Sequence, residues 1–189
     1  MRNKKSFTLI ELAIVLVVIG ILIGVGAGLI GILTKRVKYS ENKESVKRAV
    51  EALKGYAIRF GYLPNARLPQ NYNPSQEDPA FNNVGVSGFD AYGKALLYIP
   101  AQELTNNSTD LCSLNGTSFS IVDKGNTKNN IAFLVVSGNL NFNIQTNATI
   151  YLQGQAGIDD FSYDFLRPEE YDDIVEYVSF FELYEQRCE

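Results

Sequence analysis

Apolar positions follow two different patterns along this chain of 189 residues. From Leu12 to Leu33 there are 22 consecutive residues without a charge. As an α-helix that run would be about 33 Å long, matching a bilayer hydrocarbon core of about 30 Å. Further on, Val46, Val50, Leu53, Ala57 and Phe60 recur at steps of three and four, with Lys43, Lys47, Lys54 and Arg59 on the wet faces. This spacing predicts an amphipathic helix with one buried stripe, ended by Gly61 and Pro64. A continuous helix from Phe7 to Phe60 would be about 80 Å long. Its first half is apolar all round and needs lipid or other copies of itself as cover. Its second half needs a domain to pack on.

Residues 64–88 carry Pro64, Pro69, Pro74 and Pro79 among many Asn and Gly, with little periodicity. They read as a long surface connection, of a length that is usually functional or mobile. Short β-branched or aromatic runs follow at Ala95–Ile99, Ser118–Asp123, Ile131–Val136 and Thr149–Gln153, separated by Asn/Gly turns. A meander packed on the helix stripe is expected. In the tail, Ile174–Val178 alternates as a strand. Ser179 and Glu182 then have capping-box spacing, predicting a helix over Phe180–Arg187. The fold class is therefore α+β, a lollipop in which a long N-terminal helix packs its outer half on a small antiparallel sheet.

Charge sharpens this picture. The net charge is −4, but residues 34–60 hold eight Lys/Arg and three Glu, whereas residues 61–189 hold six Lys/Arg and seventeen Asp/Glu. A basic neck thus carries an acidic head, and such asymmetry usually has a partner. If the head of one subunit faces the neck of another, assemblies should loosen as salt rises. The acidic head also disfavours nucleic acid, despite the 11 Tyr and 11 Phe that could stack on bases. The chain has no His, which removes the commonest general base and metal ligand. It has no glycine-rich phosphate loop and no Cys-x-x-Cys. Adjacent acids such as Glu169 and Glu170 read as solvated, not as a glycosidase pair. No enzymatic activity is expected.

Orientation follows from what flanks the apolar run. Arg2, Lys4 and Lys5 precede it, and Lys35, Arg36 and Lys38 follow, so basic residues alone do not decide. A long C-terminal domain tends to translocate whatever its charge. Cys112 and Cys188 then lie on an oxidising side, where a disulfide is expected. Glu11 stands at the edge of the apolar segment. Acidic side chains at the centre of a span cost about 2.5–3.5 kcal/mol, and less near its edge, so a carboxylate kept there is expected to have a partner. A cut before Phe7 would place a new α-ammonium one helical turn away. Ordinary signal peptides have shorter apolar regions and seldom carry an acid there. Gly20, Gly24 and Gly28 are spaced by four, as at close helix contacts in membranes, although glycine is in any case common in membrane helices.

The segment KKSFTLIELAIVLVVIGILIG resembles the class III signal of type IV pilins and type II secretion pseudopilins. The resemblance covers about residues 4–30. It implies a leader of residues 1–6, a transmembrane and filament-core helix over 7–33, an amphipathic helix over 34–60 and a β-rich head over 61–189. It implies cleavage between Ser6 and Phe7 by a prepilin peptidase, N-methylation of Phe7, and a role for Glu11 in registering neighbouring subunits. Ser6 departs from the glycine usual before the cut; it too is small. The implied partners are other pilin-like subunits, the peptidase, membrane lipid and an inner-membrane assembly platform. The implied destination is the bacterial inner membrane with a periplasmic C-terminal domain, and then a periplasmic or extracellular filament. A non-polymerising, membrane-anchored periplasmic binding domain is the alternative. Asp90–Ala–Tyr–Gly loosely resembles the turn before the first strand in major pseudopilins. Those proteins carry Ca²⁺ near the C-terminus, and here eleven acids fall in residues 159–189. Asp159, Asp160 and Asp164 are the candidate ligands, with a solvated acidic face as the alternative. Many type IV pilins also have a disulfide-bounded C-terminal region.

Overall fold

The structure is a computed structural model that describes residues 8–123, 126–140, 144 and 172–188. Helix α1 spans Leu9–Phe60, and the chain divides into two compact units at residues 37 and 38. In the first unit every described side chain from Leu9 to Val37 is exposed. Fifteen of them are large apolar groups, with exposures from 45% at Ile19 to 90% at Leu9. A lone soluble protein rarely leaves so much contiguous apolar surface uncovered. Among the described residues, no helix is long and apolar enough to cross a membrane. The uncharged run from Leu12 to Leu33 passes through residues 25–29 and 32, whose side chains lie outside the described set.

The second unit is built around the later turns of α1. Val46, Ala49, Leu53 and Ala57 are fully buried and Val50 nearly so. They pack in one cluster with Phe81, Leu96, Tyr98, Phe133, Val178, Phe180 and Leu183. Most of the stripe read from the sequence is therefore core, with Ala49 added. Phe60 is the exception: it is 45% exposed and its ring lies 4.5 Å from that of Tyr56. The helix stops just after it, where Gly61 has φ = 83°. A side chain there would be strained, and a Cβ would meet the Asp110 carboxylate at 2.5 Å.

Strands β1 (Leu97–Pro100), β4 (Ile131–Ser137) and β5 (Ile174–Ser179) form an antiparallel sheet in the order β1-β4-β5. Strand β4 is buried along its whole length because it is central and covered on both faces. Phe133 and Val135 face the helix cluster; Leu134 and Val136 face a second cluster with Tyr72, Leu97, Ile121 and Ile144. Alternation slips at Ala132–Phe133, both in the helix cluster, where the register with β5 shifts between Ile131 and Phe133. The run at Ser118–Asp123 does not join this sheet as a meander strand. Only Ile121–Asp123 is extended, as β2, and it pairs with a separate strand β3 (Asn126–Lys128). Asp123 pairs with Asn126, and β2 and β3 form a two-stranded sheet of their own. The expected strand at Thr149–Gln153 lies outside the described residues.

The segment 64–88, read from sequence as a long surface connection with little periodicity, contains helix α2 (Pro79–Val84). Asp78 caps it by accepting from the Ala80 N–H at 2.9 Å, Pro79 opens it, and Gly85 closes it at φ = 73°. The other Asp78 oxygen accepts from the Arg67 N–H at 2.8 Å, so one carboxylate starts the helix and ties down the loop before it. Buried Phe81 anchors the segment 6.0 Å from the Tyr98 ring.

Helix α3 covers Phe180–Cys188, and the Ser179 hydroxyl accepts from the Glu182 N–H at 3.2 Å. Glu182 does not complete the reciprocal cap. Its carboxylate pairs with the Lys54 ammonium at 2.7 Å and, as hydrogen-bond acceptor, holds that group above its ordinary range. Lys54, read from sequence as a wet-face residue, is thus largely covered and joins α3 to α1.

Candidate assembly motif and globular unit

Helix α1 begins with a capping box. The Glu11 carboxylate accepts from both the Thr8 N–H and the Thr8 hydroxyl at 2.8 Å, and the Glu11 N–H donates to the Thr8 hydroxyl at 3.4 Å. This satisfies donors that the start of a helix otherwise leaves free. It also fixes the carboxylate over the first turn. Thr8 was missed as a functional partner of Glu11, although Thr-x-x-Glu is a sequence signature of this cap. Ser6 and Phe7 lie outside the described residues. Among the described residues, Gly20 and Gly24 have nothing within 4 Å of the position a Cβ would take, so no packing seen there requires glycine. Gly28 is helical, and its surroundings lie outside the described set.

A polar cluster orders the start of the sheet. The Asp90 carboxylate accepts from the N–H groups of Tyr92 and Lys94 at 2.8 and 2.9 Å and from the Ser137 hydroxyl at 3.1 Å. Gly93 takes φ = 73°, which the turn requires. Asn42 on α1 is fully buried; its amide oxygen accepts from the Ala91 N–H at 2.6 Å and its amide nitrogen donates to Asn139 at 3.2 Å. Asn139 donates in turn to the Asp172 carbonyl at 3.1 Å. In sequence, Asn42 sits among Glu41, Lys43 and Glu44 and looks solvated. Replacing it by alanine takes these partners from the part-buried Ala91 N–H and the buried Asn139 amide oxygen. Asn42→Ala should cost about 2–4 kcal/mol, read as a lower denaturation midpoint at unchanged slope.

Cys112 and Cys188 are joined by a disulfide, with Cα atoms 5.7 Å apart. Beside it the Arg187 guanidinium contacts the Asp110 carboxylate at 2.6 Å and donates to the Ile58 carbonyl. The Arg187 hydrogen bond, helped by the Cys112 N–H, holds Asp110 below its ordinary value of 3.8. A carboxyl depressed in the folded state stabilises above its unfolded value, and that contribution fades as pH falls through the folded value. Stability should therefore decline below about pH 4, and Asp110→Asn should flatten that acid-side slope in pH-dependent denaturation. The change should be small, because the pair is partly exposed.

Asp159, Asp160 and Asp164, the candidate Ca²⁺ ligands, lie outside the described residues. Among the described residues, no group of three or more His, Cys, Asp or Glu side chains is arranged to hold a metal ion.

Residues 1–27 match the family model of the prokaryotic N-terminal methylation motif. No curated protein and no solved structure matches the chain. The N-terminal segment thus carries the class III prepilin signal. The helix-on-sheet packing of the second unit is a pilin-like α+β arrangement.

Proposed function

From a chain that carries the class III prepilin signal, we infer a structural subunit of a type IV pilus or a type II secretion pseudopilus. The observation that carries this reading is the uncovered apolar surface of the described side chains between Leu9 and Leu33, on a helix that opens with a capped carboxylate. Such a helix has two stable environments, the bilayer and a bundle of its own kind. Before assembly it spans the inner membrane with the second unit outside the cytoplasm. The Cys112–Cys188 disulfide supports that side, because such bonds persist in the periplasm and not in the cytosol.

Prepilin peptidase cuts between Ser6 and Phe7, and Phe7 is then N-methylated. The chemistry is done to the chain and not by it. Cleavage removes the basic leader and leaves an α-ammonium on Phe7, one turn from Glu11. The carboxylate and ammonium neutralise each other within a subunit or between stacked subunits, lowering the cost of carrying either into an apolar core. Gly20, Gly24 and Gly28 allow close helix approach in that core. The partners are other pilin-like subunits and the inner-membrane assembly platform.

The test is co-expression of the full chain with a prepilin peptidase and an assembly platform. Shear or periplasmic fractions should then contain detergent-free filaments of the chain. Processed protein found only in membranes would instead identify a plain anchor for a periplasmic binding domain.

A further inference from the structure

An open cleft of ≈ 490 Å³ lies at the end of α1 in the second unit, within the size range of small-ligand sites. Tyr56 and Tyr62 line it with perpendicular rings 5.7 Å apart. The side chains of Asn65, Asn83, Asn106 and Asn107 line the remainder, with Pro64 and Thr105. No lining residue is charged. Phosphates and other anions therefore find no cation there, and cations or metals find no carboxylate. An acyl chain would leave four amides without partners. A neutral, hydroxyl-rich molecule with flat apolar faces suits both halves of this lining: its C–H faces rest on the rings and its hydroxyls meet the amides.

The walls are fixed before any ligand arrives. The Leu63 N–H donates to the Leu104 carbonyl at 2.7 Å, and the Leu111 N–H donates to the Gly61 carbonyl at 2.7 Å. The Tyr98 hydroxyl donates to the Pro64 carbonyl at 3.3 Å. Asn106 forms a turn by accepting from the Ser108 N–H at 3.0 Å through its amide oxygen. The Asn65 and Asn83 amides meet no partner among the described residues, although both side chains are exposed. The Tyr56 hydroxyl lies 3.4 Å from that of Tyr62, and this hydrogen bond together with burial pushes Tyr56 up to about 12, so it stays a neutral phenol. The held backbone and the tyrosine pair lower the ordering cost of binding, whereas the Asn65 and Asn83 amides are ordered by the ligand itself.

We propose that this cleft is a binding site for a neutral oligosaccharide, with the Tyr56 and Tyr62 rings as two aromatic walls and Asn65, Asn83 and Asn106 as hydroxyl-recognising groups. The proposal does not depend on filament formation. It gives the exposed unit a surface chemistry of its own, suited to a glycan outside the inner membrane.

The test uses the detergent-solubilised full chain, titrated calorimetrically with chito-, cello- and manno-oligosaccharides. At least one should bind with Kd tighter than about 1 mM. A sulfated oligosaccharide should bind no better than its neutral parent. Tyr62→Ala should weaken binding by about tenfold or more, and Asn83→Ala by about threefold to tenfold. Tyr56→Phe, which keeps the ring, should stay within about threefold. Thermal midpoints of the variants establish that they are folded, and Asn115→Ala, outside the cleft, should leave affinity unchanged. Absence of binding to all three neutral series overturns the proposal. So does binding that survives Tyr62→Ala and Asn83→Ala together. Filament yield should be unchanged by Asn83→Ala, so failure here and failure of the assembly reading are separable.

Discussion

Chains carrying Glu11→Gln should fold, insert and be cleaved, yet form few or no filaments. Glutamine is as good as glutamate at the third position of a capping box, because its amide oxygen still accepts from the Thr8 N–H. The helix start is therefore preserved and only the charge is lost. On the proposed function that charge is the counterpart of the Phe7 α-ammonium in the filament, and a charge-assisted contact in an apolar setting is worth about 1.5–3 kcal/mol. Losing about 2 kcal/mol per subunit contact lowers an association constant about thirtyfold. A filament made of many such contacts should disappear from sheared fractions while the membrane pool persists. Normal fibre yield from Glu11→Gln would show that the carboxylate serves only as a cap. Thr8→Val tests the converse: it removes the hydroxyl half of the cap and keeps the charge, and should reduce assembly less.

Replacing both Cys112 and Cys188 by serine should lower the stability of the second unit by about 4–5 kcal/mol. The two residues are 76 apart in sequence, and opening a loop of that size releases the unfolded chain from a constraint of that magnitude. The effect is measurable as a shifted midpoint in urea, and reduction of the native protein should reproduce it. The tie fastens the C-terminal end of α3 to the turn at Leu111–Ser113, next to the Arg187–Asp110 pair and the end of α1. Loosening it should also loosen the rim of the Tyr56–Tyr62 cleft. A loss below about 1 kcal/mol would mean that the Arg187 contacts and α3 packing hold the terminus without the covalent bond.

Features carried by long periodic or strongly biased segments were legible in the sequence. The N-terminal helix, its end at Phe60 and Gly61, the Ser179 cap of α3 and the core strand β4 follow from local patterns, and the Cys112–Cys188 pairing from there being two cysteines on an oxidising side. Helix α2 did not. Its 6 residues are too few to show a period, and only its punctuation, Asp78-Pro79 before and Gly85 after, could have revealed it. Strand β3 is Asn-Thr-Lys and wholly exposed, so nothing hydrophobic marks it. Phe60 fits the helical stripe but turns outward because the helix ends there and its ring finds Tyr56 and Tyr62 instead. Asn42 was invisible because its partners, Ala91 and Asn139, are 49 and 97 residues away. The same is true of the cleft, assembled from α1, α2 and the turn after Leu104. At the helix start, Glu11 was legible as a misplaced charge, while Thr8 was overlooked although its Thr-x-x-Glu spacing marks the cap that the structure shows.

The central claim is that the chain becomes a filament subunit by losing its leader and exposing a methylated amine beside Glu11. Intact-mass and N-terminal peptide mass spectrometry on protein from the native membrane tests it most directly. The expected mature chain begins at Phe7, lacks residues 1–6 and carries one added methyl group on its α-nitrogen. A chain that retains Met1 and the basic leader would contradict the account.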